Sequence, residues 1–154
     1  MKKKVKAIGI TFIVLLCLAA ISYTVLFFHF RSQFEPYIKE FTTLEENRSY
    51  YYNDSDNGFL LNVKYPGYGT LTGNLAVQTS DSQYALIIWP KVNNKIETGF
   101  QTAIINPQKK QDQYLTVKNG QIDLEKTSYS KKEQEMILSL EKEAKKIWGA
   151  DVLG

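Results

Sequence analysis

The chain has 154 residues, 44% hydrophobic and 23% charged, which is enough for one folded domain and unlike a disordered one. Its formal charge of +3 sits at one end: Lys2, Lys3, Lys4 and Lys6 precede the first acidic residue, Glu35, and the remaining 15 of the 19 basic residues face all 16 acidic ones from Arg31 onward. That placement argues against a nucleic-acid binder, and one Cys with one His leaves no material for a disulfide scaffold, a structural zinc site or a Ser-His-Asp or Cys-His catalytic set.

After the basic tip of residues 1–6, Ala7 to Phe28 is a run of 22 residues without a charge. As a helix it rises roughly 33 Å, against a hydrocarbon core about 30 Å thick, so residues 7–30 are expected to form one transmembrane anchor. Thr11, Ser22 and Thr24 can return their hydroxyls to helix carbonyls, and Gly9 is tolerated in membrane helices. A cleaved signal peptide would have an apolar region of about 7–15 residues and a small-x-small site. Ala20-Ile21-Ser22 has that form, but Tyr23 to Phe28 continues the apolar run past it. A lipoprotein signal needs a small residue before Cys17, where Leu16 stands. The anchor is therefore expected to remain uncleaved, with Cys17 a small apolar filler and His29 a solvated imidazole at the outer interface. Because the lysines precede the span, the positive-inside rule puts the N-terminus in the cytoplasm and the rest outside the cell. An external part without Cys leans toward a bacterial surface.

Phe34, Tyr37, Ile38, Phe41 and Leu44 recur at helical spacing, with Pro36 suited to a first turn, so residues 31–47 read as a membrane-proximal helix. Residues 48–154 read as an extracytoplasmic α+β binding domain. Tyr50-Tyr51-Tyr52 runs into the turn signal Asn53 to Gly58. Phe59 to Tyr65 alternates, and Pro66 to Gly69 breaks it. Thr70 to Thr79 is strand-like with a bend at Gly73-Asn74, and Tyr84 to Trp89 is apolar throughout, as in a central strand. Pro90 to Asn94 turns the chain, Glu97 to Ile105 is the next strand, and Asn106-Pro107 ends it. Gln113 to Lys118 and Gln121 to Leu124 flank Asn119-Gly120, a two-residue hairpin signal. Ser130 to Glu133 has the form of a capping box, and Met136, Ile137, Leu140, Ala144, Ile147 and Trp148 follow at helical spacing up to Gly149. The expected fold is α+β: a mainly antiparallel meander sheet flanked by helices, preceded by one transmembrane helix.

Candidate chemistry is sparse. Asp54 and Asp56 invite a calcium reading, but a loop with Gly58 sixth puts Lys64 at the twelfth position, where a carboxylate is needed, so a plain hairpin turn is favoured. No spacing selects a catalytic carboxylate pair, and no hydrolase, metalloprotease or phosphate-binding motif is present. No enzyme activity, cofactor or small-molecule substrate is expected. The remaining signal is aromatic. Most tyrosines of the strand region are expected to pack the sheet, but one terminal helix covers only one of its faces. Tyr50, Tyr52, Tyr68 and Trp89, rimmed by Asp54 and Asp56, are the candidate platform for a protein partner. An anchored hydrolase and an envelope-associated structural or sensing domain are the competing classes.

Gly58 to Pro66, then Leu71-Thr72-Gly73-Asn74-Leu75-Ala76-Val77, then Leu86-Ile87-Ile88-Trp89-Pro90, with the charged C-terminal helix ending at Trp148, resemble the core of the TipC family of immunity proteins. The resemblance covers roughly residues 50–148 in order, plus the anchor. It implies a single-pass protein of Gram-positive bacteria that protects its producer from a type VII-secreted toxin of the TelC kind, which degrades lipid II. It also implies docking of the toxin on a concave sheet face. It assigns no individual contact residue, and the short external part puts interface details outside what it implies.

Overall fold

The computed structural model describes residues 2–39, 41, 43–45, 48–90, 95–102, 113–125 and 129–154. The expected turn at Pro90 to Asn94, the end of the strand toward Ile105 and the Asn106-Pro107 stop fall largely or wholly outside those residues.

Helix α1 runs unbroken from Lys2 to Ser32, and its stretch Ile8–Ser32 is long and apolar enough to cross a membrane, with mean hydropathy 2.5. Ile8, Ile10, Phe12 and Leu15 stand exposed along it, as does Cys17. The Thr24 hydroxyl donates to the Ala20 carbonyl at 2.8 Å, so this polar group costs the helix little. At its C-terminal end the helix changes character: Phe27 and Phe30 are buried, and Phe34 just beyond it is fully enclosed. Burying side chains of that size stabilises by about 1.5–3 kcal/mol each, so the helix end belongs to the folded domain.

The expected helix over residues 31–47 does not form. The α-helix stops at Ser32, a 3-10 turn spans Glu35–Ile38 with Pro36 near its start, and strand β1 occupies Thr43–Glu45. Pro36 has no amide to continue the helical ladder. The apolar spacing is satisfied instead by packing Tyr37, Ile38 and Phe41 on the core. Trp148 secures this turn: its indole N–H donates to the Tyr37 carbonyl at 3.2 Å, and its ring stacks on Phe41 at 6.2 Å.

Among the described residues eight strands follow one another in sequence order, each antiparallel to the next. After β1 come β2 (Ser49–Asp54), β3 (Phe59–Lys64), β4 (Asn74–Thr79), β5 (Tyr84–Pro90), β6 (Ile96–Thr102), β7 (Gln113–Lys118) and β8 (Gln121–Asp123). The bend expected at Gly73-Asn74 falls where β4 begins. A Cβ on Gly73 would lie 2.4 Å from the Lys64 carbonyl oxygen and 2.8 Å from the Phe34 ring, so only glycine lets those three segments meet. At the β7–β8 hairpin Asn119 and Gly120 have φ of 51° and 71°, the paired left-handed conformation that matches strand twist.

Helix α2 (Lys131–Trp148) covers one face of the sheet. Its Ile137, Leu140 and Ala144 meet Leu61 and Val63 of β3, Leu75 and Val77 of β4, and Leu86 and Ile88 of β5, all fully buried. Registers such as Val63↔Leu75↔Ile88 put these strand residues on one face, because side chains alternate along each strand. The capping box forms: the Ser130 hydroxyl accepts from the Glu133 amide, and the Glu133 carboxylate accepts from the Ser130 amide at 2.8 Å. The Ser130 hydroxyl also donates to that carboxylate at 2.7 Å, and this bond together with the one from the Ser130 amide holds the Glu133 carboxyl below its ordinary range. Ser130→Ala is expected to cost about 1 kcal/mol in denaturant unfolding, without a change in fold by circular dichroism.

Candidate partner-binding face

Parity along the strands decides which aromatic residues reach solvent. Tyr50 and Tyr52 pair with Val63 and Leu61, so they point to the face that α2 covers and pack on the core. The Tyr50 ring lies 5.3 Å from that of Tyr65, and the Tyr52 ring 5.7 Å from that of Phe41. Asp54 shares that parity. Its carboxylate accepts from Lys146 of α2 at 2.7 Å and from the Asn57 amide at 2.9 Å. The platform expected from Tyr50, Tyr52 and Asp54 is thus corrected: all three face the helix, because a six-residue strand starting at Ser49 sends its even-numbered side chains inward. Asp56 is exposed at the tip of the β2–β3 turn, and Tyr68 sits apart, on the β3–β4 loop beside α1.

Lys146 and Asn57 hold the Asp54 carboxyl down at about 2, and the Lys146 ammonium is raised in return. A depressed carboxyl stabilises the fold fully above its unfolded value of 3.8, and the contribution is lost as pH falls through about 2. Thermal unfolding followed across that acid range is expected to show a falling melting temperature, and Asp54→Asn is expected to flatten that part of the fall. Among the described residues no cluster of three or more metal-ligating side chains forms.

The opposite face has no described helix over it. One cross-strand row runs Tyr51↔Asn62↔Ala76↔Ile87↔Gly99↔Tyr114, with aromatic residues at the ends and Ala76 and Ile87 buried between them. The next row carries Lys64 opposite Asn74, and Trp89 opposite Glu97. The Trp89 and Tyr114 rings lie 6.0 Å apart, and Tyr114 is 70% exposed. Lys64, Thr72, Gly73, Asn74 and Trp89 line a shallow depression there. Two acceptors on this face, Asn62 Oδ1 and Asn74 Oδ1, are buried without a hydrogen-bond partner among the described residues. Chemically the face offers aromatic area and hydrogen bonds.

Of the expected site residues, then, Trp89 alone lies on the open face. Tyr114 was missed, although a signal existed: in Gln113 to Lys118 the apolar Leu115 and Val117 alternate with Tyr114, Thr116 and Lys118, which assigns Tyr114 outward. Comparison with family models, with curated proteins and with solved structures gave no match.

Proposed function

We propose that the chain is a membrane-tethered immunity protein, of the kind the TipC resemblance implies, that neutralises a secreted antibacterial toxin by stoichiometric occlusion on its open sheet face. The observation that carries this reading is the pairing of a long apolar helix with a sheet that leaves Trp89, Tyr114 and Tyr51 on a face that no described helix covers. The N-terminal lysines orient the helix so that the sheet lies outside the cell, where such a toxin acts. The tether confines the antidote to the surface that carries the toxin's substrate and so raises its local concentration. Neutralisation of this kind needs tight binding and no bond making or breaking.

The test is a pull-down of the full chain, in detergent micelles, with a secreted lipid II-degrading toxin of the TelC kind, followed by assay of lipid II degradation. One-to-one capture with loss of toxin activity supports the proposal. Absence of capture, or capture of an active toxin, overturns it. Deleting residues 2–22 removes most of the apolar run but keeps Tyr23 to Phe34, which pack on the domain. Binding in vitro is expected to survive that deletion, while protection of cells is expected to be lost.

A further inference from the structure

The β3–β4 loop does not hang free. It folds back onto α1 at the level of Tyr23 and Phe27. The Gly69 amide donates to the Tyr23 hydroxyl at 2.6 Å, and the Tyr68 ring stacks on Phe27 with centroids 4.5 Å apart and planes 13° from parallel. Yet Tyr68 remains 79% exposed, and Val25, Leu26 and Phe28 around the helix are exposed too. This places an outward-facing aromatic residue beside apolar helix surface that no described element covers.

Position along the helix indicates what covers it. Tyr23 and Phe27 lie about 26 and 32 Å beyond Lys6 at helical rise, which brackets the roughly 30 Å thickness of a hydrocarbon core. With the lysines at one headgroup layer, the loop therefore meets the other boundary, where Tyr is a preferred residue. The loop backbone suits a site poor in water. Pro66 has no amide, Gly69 is bonded to Tyr23, and the Thr70 and Leu71 amides donate to the Gly67 carbonyl at 3.2 and 3.4 Å. Cations sit just above it: Arg31 lies over the Tyr65 ring at 4.8 Å, and the Arg48 guanidinium occupies the space into which a side chain on Gly67 would project. Basic groups at that height meet lipid phosphates favourably.

We propose that the loop Pro66–Leu71, with Tyr68 at its tip, is a second membrane contact: it seats in the headgroup layer beside α1, with Arg31 and Arg48 at the phosphates, and holds the sheet at a fixed height and angle on the bilayer. This rests on the reading of α1 as a membrane span, and the native Cys17 lets the two be separated. The full chain is reconstituted in vesicles of phosphatidylglycerol and phosphatidylcholine, and a fluorophore is placed at Cys17 or, in a Cys17→Ser background, at Tyr68→Cys, Thr70→Cys or Asn119→Cys. Thr70→Cys leaves the Tyr68–Phe27 stack intact. Spin-labelled lipids then quench by depth. Cys17 is expected to be quenched by mid-chain labels. Position 68 or 70 is expected to be quenched several-fold more than position 119 by labels at the headgroup end of the acyl chain. Quenching at Cys17 with none at 68 or 70 overturns the loop contact and leaves the anchor standing. No quenching at Cys17 overturns the anchor and the loop contact with it.

Discussion

Phe34→Ala is expected to destabilise the domain by about 3–5 kcal/mol, the largest effect of any single truncation considered. The side chain is fully enclosed, its ring centroid lies 5.9 Å from that of Tyr65, and its edge fills the space that Gly73 leaves open. It therefore joins the end of α1, the end of β3 and the start of β4. Removing the six ring carbons there leaves a cavity bounded by backbone that cannot close over it, because the Lys64 carbonyl is already in contact with Gly73. Domains of this size are typically stable by only about 5–15 kcal/mol, so the loss is a large fraction of the whole. Thermal unfolding in detergent micelles measures it. Phe34→Leu is expected to recover much of the difference, since it restores most of the volume. A melting temperature unchanged by Phe34→Ala would show that the helix end and the sheet are not joined through this residue.

On the proposed function, Trp89→Ala is expected to weaken binding of the toxin by about 2 kcal/mol or more, roughly 30-fold, while leaving the melting temperature close to that of the parent chain. Trp89 is only half-buried, so little of the fold depends on it, yet it stands beside Tyr114 and the depression that Lys64 and Asn74 line. Large, rigid aromatic side chains at the centre of a patch carry a disproportionate share of interface energy, because they bury much area for few frozen torsions. Tyr114→Ala is expected to act in the same direction and to be less than additive with Trp89→Ala, since the two rings are neighbours. Lys132→Ala, on the exposed outer side of α2, serves as the control and is expected to bind as the parent does. Titration by calorimetry reads all four. The reverse pattern, with Lys132→Ala weakened and Trp89→Ala intact, would move the docking surface to the helical side.

Much of the architecture was legible because it rests on local signals. Ser130 and Glu133 announced their helix by capping chemistry, Asn119-Gly120 its hairpin by backbone preference, and Phe59 to Lys64 its strand by alternation. The failure over residues 31–47 is not local in origin. A spacing of three, one and three fits a 3-10 turn as well as an α-helix, and what separates them is Trp148, more than a hundred residues away, which clamps the turn. The open face was foreseen as a consequence of one helix covering one side, but its membership depended on strand parity. Within the Tyr50-Tyr51-Tyr52 run the residue types do not say which side chains face outward, and the ladder turns Tyr50 and Tyr52 to the covered side. The docking of α1 left a trace that hydropathy hides: Tyr23, Phe27, Phe30 and Phe34 repeat at intervals of four, three and four, one aromatic stripe within a uniformly apolar run.

The order of the strands carries a consequence for assembly. Every strand pairs with its neighbour in the chain, so no pairing has to wait for a distant segment, and such low contact order favours quick folding. The one long wait is for α2, since Leu61, Val63, Leu75 and Val77 have no cover until Ile137 and Leu140 arrive. During synthesis from the N-terminus the nascent sheet therefore presents a bare greasy surface until α2 is made. A truncated product that stops before Lys131 would keep its hairpins yet be a ready substrate for proteases, which makes completion of α2 the quality checkpoint of the fold.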